Sequence, residues 1–97
     1  MENRITEDEI WDLVGFIKIS PLRLQTMQAL KSEYMMPSEI ARMTGMRTTQ
    51  ASSALISLKN KNLVICMNEN AYKGRLYQTT ELGDMVLEFL EKKKSRY

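Results

Sequence analysis

Ninety-seven residues, 43% hydrophobic and 27% charged, suit a single folded domain over 1–97 and leave no room for a second core. One cysteine (Cys66) and no histidine exclude an intrachain disulfide and Cys/His zinc sites, and they remove the commonest general base. The net charge of +2 excludes little, but no apolar run is long enough to span a bilayer, so no membrane partner is expected.

The start, Met1-Glu2-Asn3-Arg4, lacks the apolar segment of a secretory signal, which makes the cytoplasm the expected location. There is no phosphate-cradling glycine loop, no Cys and His pair and no plausible metal-ligand set. The chain is therefore expected not to be an enzyme and to carry no metal and no cofactor.

The elements follow in chain order. Thr6 and Glu9 have the spacing of a capping box, and Ile10, Leu13, Val14 and Ile17 recur at helical spacing, predicting a helix from Glu7 to Lys18. Ser20-Pro21 restarts the chain as an N-cap followed by proline at the first helical position. Leu22, Leu24, Met27 and Leu30 supply that second helix, which is expected to end near Lys31 to Tyr34. Pro37 opens a short third helix with Ile40, Ala41 and Met43, and Gly45 permits the positive φ of a sharp exit. A fourth helix runs from Thr48 to Asn60 on the stripe Ala51, Ala54, Leu55 and Leu58, with Asn62 in the left-handed position that ends it.

After it the pattern changes period. Leu63-Val64-Ile65-Cys66-Met67 reads as a strand, residues 68–74 as a turn, and Arg75 to Thr79 as the returning strand of a β-hairpin. Thr80 caps a last helix built on Leu82, Met85, Val86, Phe89 and Leu90. The class is mainly α with a small β-hairpin.

Charge is unevenly distributed along these elements. Residues 1–41 carry seven acids against four bases, whereas residues 42–75 carry six bases (Arg42, Arg47, Lys59, Lys61, Lys73, Arg75) against Glu69 alone. A basic stretch inside a nearly neutral chain fits an anion-facing surface, and a solvated face is the competing explanation. The fourth helix adds chemistry to this. At about 100° per residue, Thr49, Ser53, Ile56, Ser57 and Asn60 project away from Ala51, flanked by Gln50, Ser52 and Lys59. That face holds hydroxyls and amides and no acid, which suits a groove lined by phosphates; the alternative is an ordinary exposed polar helix. Gln can grip adenine through two bonds, and Ser or Thr can serve either base edge. The candidate double-stranded DNA contacts are Thr48, Thr49, Gln50, Ser52, Ser53 and Ser57 on the helix. Arg47 and Lys59, with Asn70, Lys73 and Arg75 on the hairpin, are the candidates for the backbone. Tyr72 lies beside them at the hairpin tip, while Tyr77, inside the second strand, is expected to pack its ring on the domain.

The runs Pro37-Ser38-Glu39-Ile40-Ala41, Thr44-Gly45-Met46-Arg47, Ala51-Ser52-Ser53-Ala54-Leu55 and Lys61-Asn62-Leu63-Val64 resemble the helix-turn-helix core of winged-helix regulators. Residues 74–83 resemble the second wing strand and the start of the final helix. The similarity, over roughly residues 20–90, is to the multiple-antibiotic-resistance (MarR-like) and arsenic-repressor (ArsR-like) types, including small archaeal or bacterial members. It implies a winged helix-turn-helix, with the helix-turn-helix at 37–62 and the wing at 63–79, in a sequence-specific transcription regulator that acts as a repressor. Asn62 departs from the usual glycine and Arg47 from the usual capping Ser or Thr. No arginine lies on the outer face of the fourth helix, so direct guanine readout is expected to be modest.

The first and last helices, in 1–19 and 80–97, hold more apolar residues than one buried stripe needs, Trp11, Phe16 and Leu87 among them. They are expected to pair with a second copy through Ile10, Trp11, Val14, Val86, Leu87 and Leu90, giving a homodimer with two reading helices one DNA turn apart. Cys66, Met27, Met43 and Met85 read as core filler. The tail Lys92-Lys93-Lys94-Ser95-Arg96 either touches DNA or offsets a helix dipole. Nothing identifies a small-molecule effector. A winged-helix protein–protein interaction module of the transcription or chromatin machinery is the rival function.

Overall fold

The computed structural model describes residues 5–31 and 33–95, with side chains as far as Lys92. The basic tail beyond Lys92 therefore lies outside the described side chains. Five helices and one hairpin follow in the order α1 (Glu7–Lys18), α2 (Pro21–Ala29), α3 (Pro37–Thr44), α4 (Thr48–Asn60), β1 (Val64–Cys66), β2 (Tyr77–Thr79) and α5 (Glu81–Ser95).

The starts of α1 and α2 are set by the residues expected to set them. The Glu9 N–H donates to Thr6 Oγ1 at 3.2 Å and the Thr6 N–H donates to Glu9 Oε1 at 2.8 Å, so each covers a donor that the first turn leaves open. Ser20 Oγ accepts from the Arg23 N–H at 3.3 Å, with Pro21 at the first helical position. Gly45 (φ 85°) and Asn62 (φ 62°) both take the left-handed conformation and end α3 and α4.

Two boundaries differ from the sequence reading. Helix α2 stops at Ala29, short of Lys31, and Met35 further on is bridged to the hairpin. The Met35 N–H donates to the Tyr77 carbonyl at 3.0 Å and the Tyr77 N–H returns to the Met35 carbonyl at 2.9 Å. Strand β2 is thus bonded on both edges, to Met35 and to β1 in the antiparallel register Val64↔Thr79, Ile65↔Gln78, Cys66↔Tyr77. A single bridging residue has no alternation for a pattern to reveal. The strands are also shorter than 63–67 and 75–79. Gly74 (φ 68°) turns the chain, so regular pairing resumes only at Tyr77, which is buried as expected.

Helix α1 lies on α5 and α2, while α3 and α2 pack on α4. The core gathers Ile10, Val14 and Ile17 from α1, Met27 from α2 with Leu30 just after it, Ile40 from α3, Leu55 and Leu58 from α4, then Leu63, Val64 and Cys66, and Val86, Leu87 and Leu90 from α5. Met43, expected in this core, is 63% exposed. Helix α3 buries Ile40 and Ala41, and Met43 stands roughly 110° round the helix from their stripe. Met85, also expected in the core, is 37% exposed.

The dimer residues require a larger correction. Ile10, Val14, Val86, Leu87 and Leu90 are each 6% exposed or less within the one chain. They hold α1 against α5 and have almost no area left to bury against a second copy. The apparent surplus arose because α5 is covered on several sides, by α1, α2 and β2, so its buried sector is wider than one stripe. Trp11 alone of the six retains substantial exposure, 38%, with its ring edge-on to Phe89 at 5.6 Å. Phe16 is capped by the Arg23 guanidinium, 3.9 Å from its centroid, and by Lys61 at 5.4 Å.

Candidate nucleic-acid interface

The helix pair α3–α4 is locked at its turn by short-range bonds. Thr44 Oγ1 donates to the Ile40 carbonyl at 2.7 Å and accepts from the Met46 N–H at 3.3 Å, while the Gly45 N–H closes on the Ala41 carbonyl at 2.8 Å. Met46 is buried, anchoring the turn, and Arg47 begins α4 from an extended conformation.

Arg47 has no side-chain acceptor and makes no cap bond to the first turn of α4. Its own backbone N–H is instead taken by Gln50 Oε1 at 2.8 Å. The first-turn N–H groups thus receive no side-chain cap from Arg47, next to its cationic side chain, and an anion is the natural complement of such an end. The sequence carried this signal in the departure at Arg47. For Gln50 the outcome is a correction. The residue is half-buried and its amide is tethered to the Arg47 N–H, so it is not extended outward as a two-bond grip on adenine requires.

Beyond that first turn, Thr48, Thr49, Ser53, Ile56 and Asn60 are exposed and Ser52 and Ser57 are half-buried, opposite the buried Ala51, Ala54, Leu55 and Leu58. The α4 face is as free of acids as the sequence indicated.

The hairpin is built around Asn68, a residue the sequence reading passed over as a mere turn former. Its Oδ1 accepts from the Leu76 N–H at 2.8 Å and from Cys66 Sγ at 3.7 Å, and its Nδ2 donates to the Gly74 carbonyl at 3.2 Å. One carboxamide thus ties both sides of the loop together. Arg75 Nε donates to the Ala71 carbonyl at 3.0 Å, which braces the tip, and the residue remains exposed. Asn70, Tyr72 and Lys73 are exposed around it.

Lys59 does not stand as an open cation. Its Nζ pairs with Glu69 at 2.5 Å, so the one acid of the basic stretch is consumed in joining the hairpin to α4. The hydrogen bond to Glu69 raises the Lys59 pKa, and the same bond, with the attraction of the ammonium, lowers that of Glu69. Lys61 turns toward Phe16 on α1. The cationic surface is therefore narrower than the linear count, resting on Arg42 and Arg47 at the helix pair and Lys73 and Arg75 at the hairpin tip.

No family model and no curated protein matches the chain. Solved structures do. TubR, in a structure bound to 24 bp of tubC from Bacillus thuringiensis serovar israelensis, superposes with a TM-score of 0.77 at 12% identity, over 95% of this chain and 99% of that one. A homodimeric winged helix-turn-helix DNA-binding domain from Mycobacterium bovis, a possible ArsR-family transcriptional regulator, gives 0.73 at 22% identity, over 98% and 91%. A MarR family regulator from Neisseria meningitidis gives 0.70 at 15% identity, over 88% of this chain and 61% of that one. The fold is a winged helix-turn-helix. In its terms α3 and α4 are the helix-turn-helix and the β1–β2 hairpin is the wing.

Among the described residues, no group of three or more His, Cys, Asp or Glu is placed to hold a metal ion, and no helix is long and apolar enough to cross a membrane.

Proposed function

We propose that the chain is a cytoplasmic, homodimeric transcription regulator that binds double-stranded DNA sequence-specifically and represses by occluding its site. The observation that carries this is the exposed, acid-free face of α4. Its 13 residues make a rod about 20 Å long, matched to a major groove about 12 Å wide. Thr48, Thr49, Ser52, Ser53 and Ser57 are its hydrogen-bonding groups for base edges or adjacent phosphates. Arg47 and the first-turn N–H groups of α4 take one phosphate, and Lys73, Arg75 and Asn70 on the wing take the flanking backbone. Lys59 contributes by fixing the wing relative to α4. That TubR, of the same fold, is bound to 24 bp of tubC supports this use of the fold.

The homodimer is supported by the homodimeric M. bovis neighbour and by the apolar area left on the α1–α5 flank. There Trp11, Phe89 and Met85 remain at least partly open once the core is closed. Two copies joined on this flank would suit a pseudo-palindromic site with half-sites about one helical turn apart.

Gel shifts on genomic fragments across a salt series test the proposal. Retardation that weakens steeply and log-linearly with salt is the expected result, and no binding at low salt defeats it. The second outcome would favour a protein-interaction module, for which the exposed Ile65, Met67 and Tyr72 of the wing are the specific support.

A further inference from the structure

We infer that Ile56 is a specificity-determining residue of the reading helix, recognising the C5 methyl group of a thymine in the major groove. The inference rests on the DNA-binding proposal and goes beyond it, because it assigns a base feature to a residue without hydrogen-bonding capacity.

At about 100° per residue, Thr49, Ser53, Ile56 and Asn60 fall in one sector of α4 roughly 60° wide, opposite the core stripe. All four are exposed, so this sector is the crest of the helix. Ile56 stands on it at 57% exposure, between Ser53 one turn before and Asn60 one turn after. Isolated exposed apolar residues are ordinary on protein surfaces. This one is branched, has no part in the buried core, and occupies the middle of a crest otherwise made of hydroxyls and an amide.

A branched aliphatic group in a major groove cannot satisfy the N7, O6, N6, O4 or N4 positions of the bases. The apolar feature the groove offers in unmodified DNA is the thymine methyl. A guanine at the same step would leave its two acceptors desolvated against Ile56, a penalty rather than a contact. The same crest carries no Arg or Lys, the side chains that grip guanine, so the discrimination available to it leans toward A·T pairs. Ser53 and Asn60 can bond to bases on either side, which places the thymine inside the half-site rather than at its edge.

The test uses the full chain and a duplex that it selects from a random library. Each thymine is replaced in turn by deoxyuridine, which removes only the methyl. At one position per half-site, affinity should fall about fourfold, the value of one buried methyl group. At that position Ile56→Ala should bind the thymine and uracil duplexes equally, and 5-methylcytosine should bind the wild-type protein better than cytosine. Because Ile56 is exposed, Ile56→Ala should melt at the wild-type temperature. If no thymine in the selected site is sensitive to uracil, or if Ile56→Ala keeps the wild-type ratio there, the inference is overturned while DNA binding stands. If no duplex is retained at low salt, the DNA-binding proposal fails and takes the inference with it.

Discussion

Gln50 illustrates how one side chain can be claimed by two roles. On a helical wheel it flanks the outer face of α4 and reads as an adenine grip, yet its Oε1 holds the Arg47 N–H at 2.8 Å. An amide held at the helix start is not free to swing out and grip a base with both of its polar atoms. Gln50→Glu separates the roles. A carboxylate keeps the acceptor and suits the positive end of the helix dipole, so thermal unfolding should change by less than about 0.5 kcal/mol. The same substitution puts a negative charge among the groups proposed to face phosphates, and on that proposal affinity for DNA should drop by about tenfold or more. Equal affinity in a gel shift would mean that the start of α4 lies away from the nucleic acid. The methionines make a related point. Met27 is buried and Met43 is not, although both were spaced for a core, because burial depends on which neighbours surround a short helix.

The elements are joined at a few places where the chain has little freedom. Gly83 is the tightest of them. A Cβ there would run into the Leu63 carbonyl oxygen, which also accepts the Thr80 N–H at 3.1 Å, and would lie 3.3 Å from Met27 Cε. Thr80 Oγ1 donates to the Asn62 carbonyl at 2.6 Å and accepts from the Gly83 N–H at 3.0 Å, so the start of α5 is bonded directly to the end of α4. Backbone cannot yield as a flexible side chain can, and Gly83→Ala should cost about 1–3 kcal/mol of stability. Chemical denaturation would show this, and a cost under about 0.5 kcal/mol would mean that α5 can shift without penalty.

The wing joint is of another kind, an exposed ion pair between Lys59 and Glu69. Its two ends move in opposite senses. The lowered pKa of Glu69 keeps the pair intact above the ordinary carboxylate range and loses it as pH falls through the lowered value. The raised pKa of Lys59 loses the pair only as pH rises through that raised value, well into the alkaline range. Around neutrality the joint is constant, and acidification should release the wing first. Followed by NMR, the Glu69 carboxyl and the amides of residues 68–74 should titrate at a higher pH in Lys59→Met than in the wild type, and an unchanged midpoint would mean that the pair does not hold the wing. Global stability should scarcely respond, because exposed pairs contribute little.

At the scale of the whole molecule, the question is how much apolar surface survives once the chain has folded. The α1–α5 pair consumes Ile10, Val14, Val86, Leu87 and Leu90, so the proposed homodimer would rest on what remains near Trp11 and Phe89. In sedimentation equilibrium at micromolar concentration the wild type should be a dimer and Trp11→Arg a monomer. Trp11 is partly exposed, so the variant should fold; a dimer unaffected by it would place the interface elsewhere.

Much of this architecture was legible in the chain itself. Thr6 with Glu9, Ser20-Pro21, Gly45 and Asn62 are local devices whose geometry depends on neighbours within a few residues, and the bounds of α1 and α4 followed from them. The acid-free face of α4 was legible for the same reason, since helical periodicity alone decides which residues share a side. What depended on partners distant in sequence was not. The Met35–Tyr77 bridge joins residues 42 positions apart, the Asn68 carboxamide spans the wing loop, and Lys59 meets Glu69 only because the hairpin folds back along α4. The division of apolar residues between core and surface belongs with these. Periodicity says which face is apolar, and only the packing of all the elements decides how much of that face the chain covers itself.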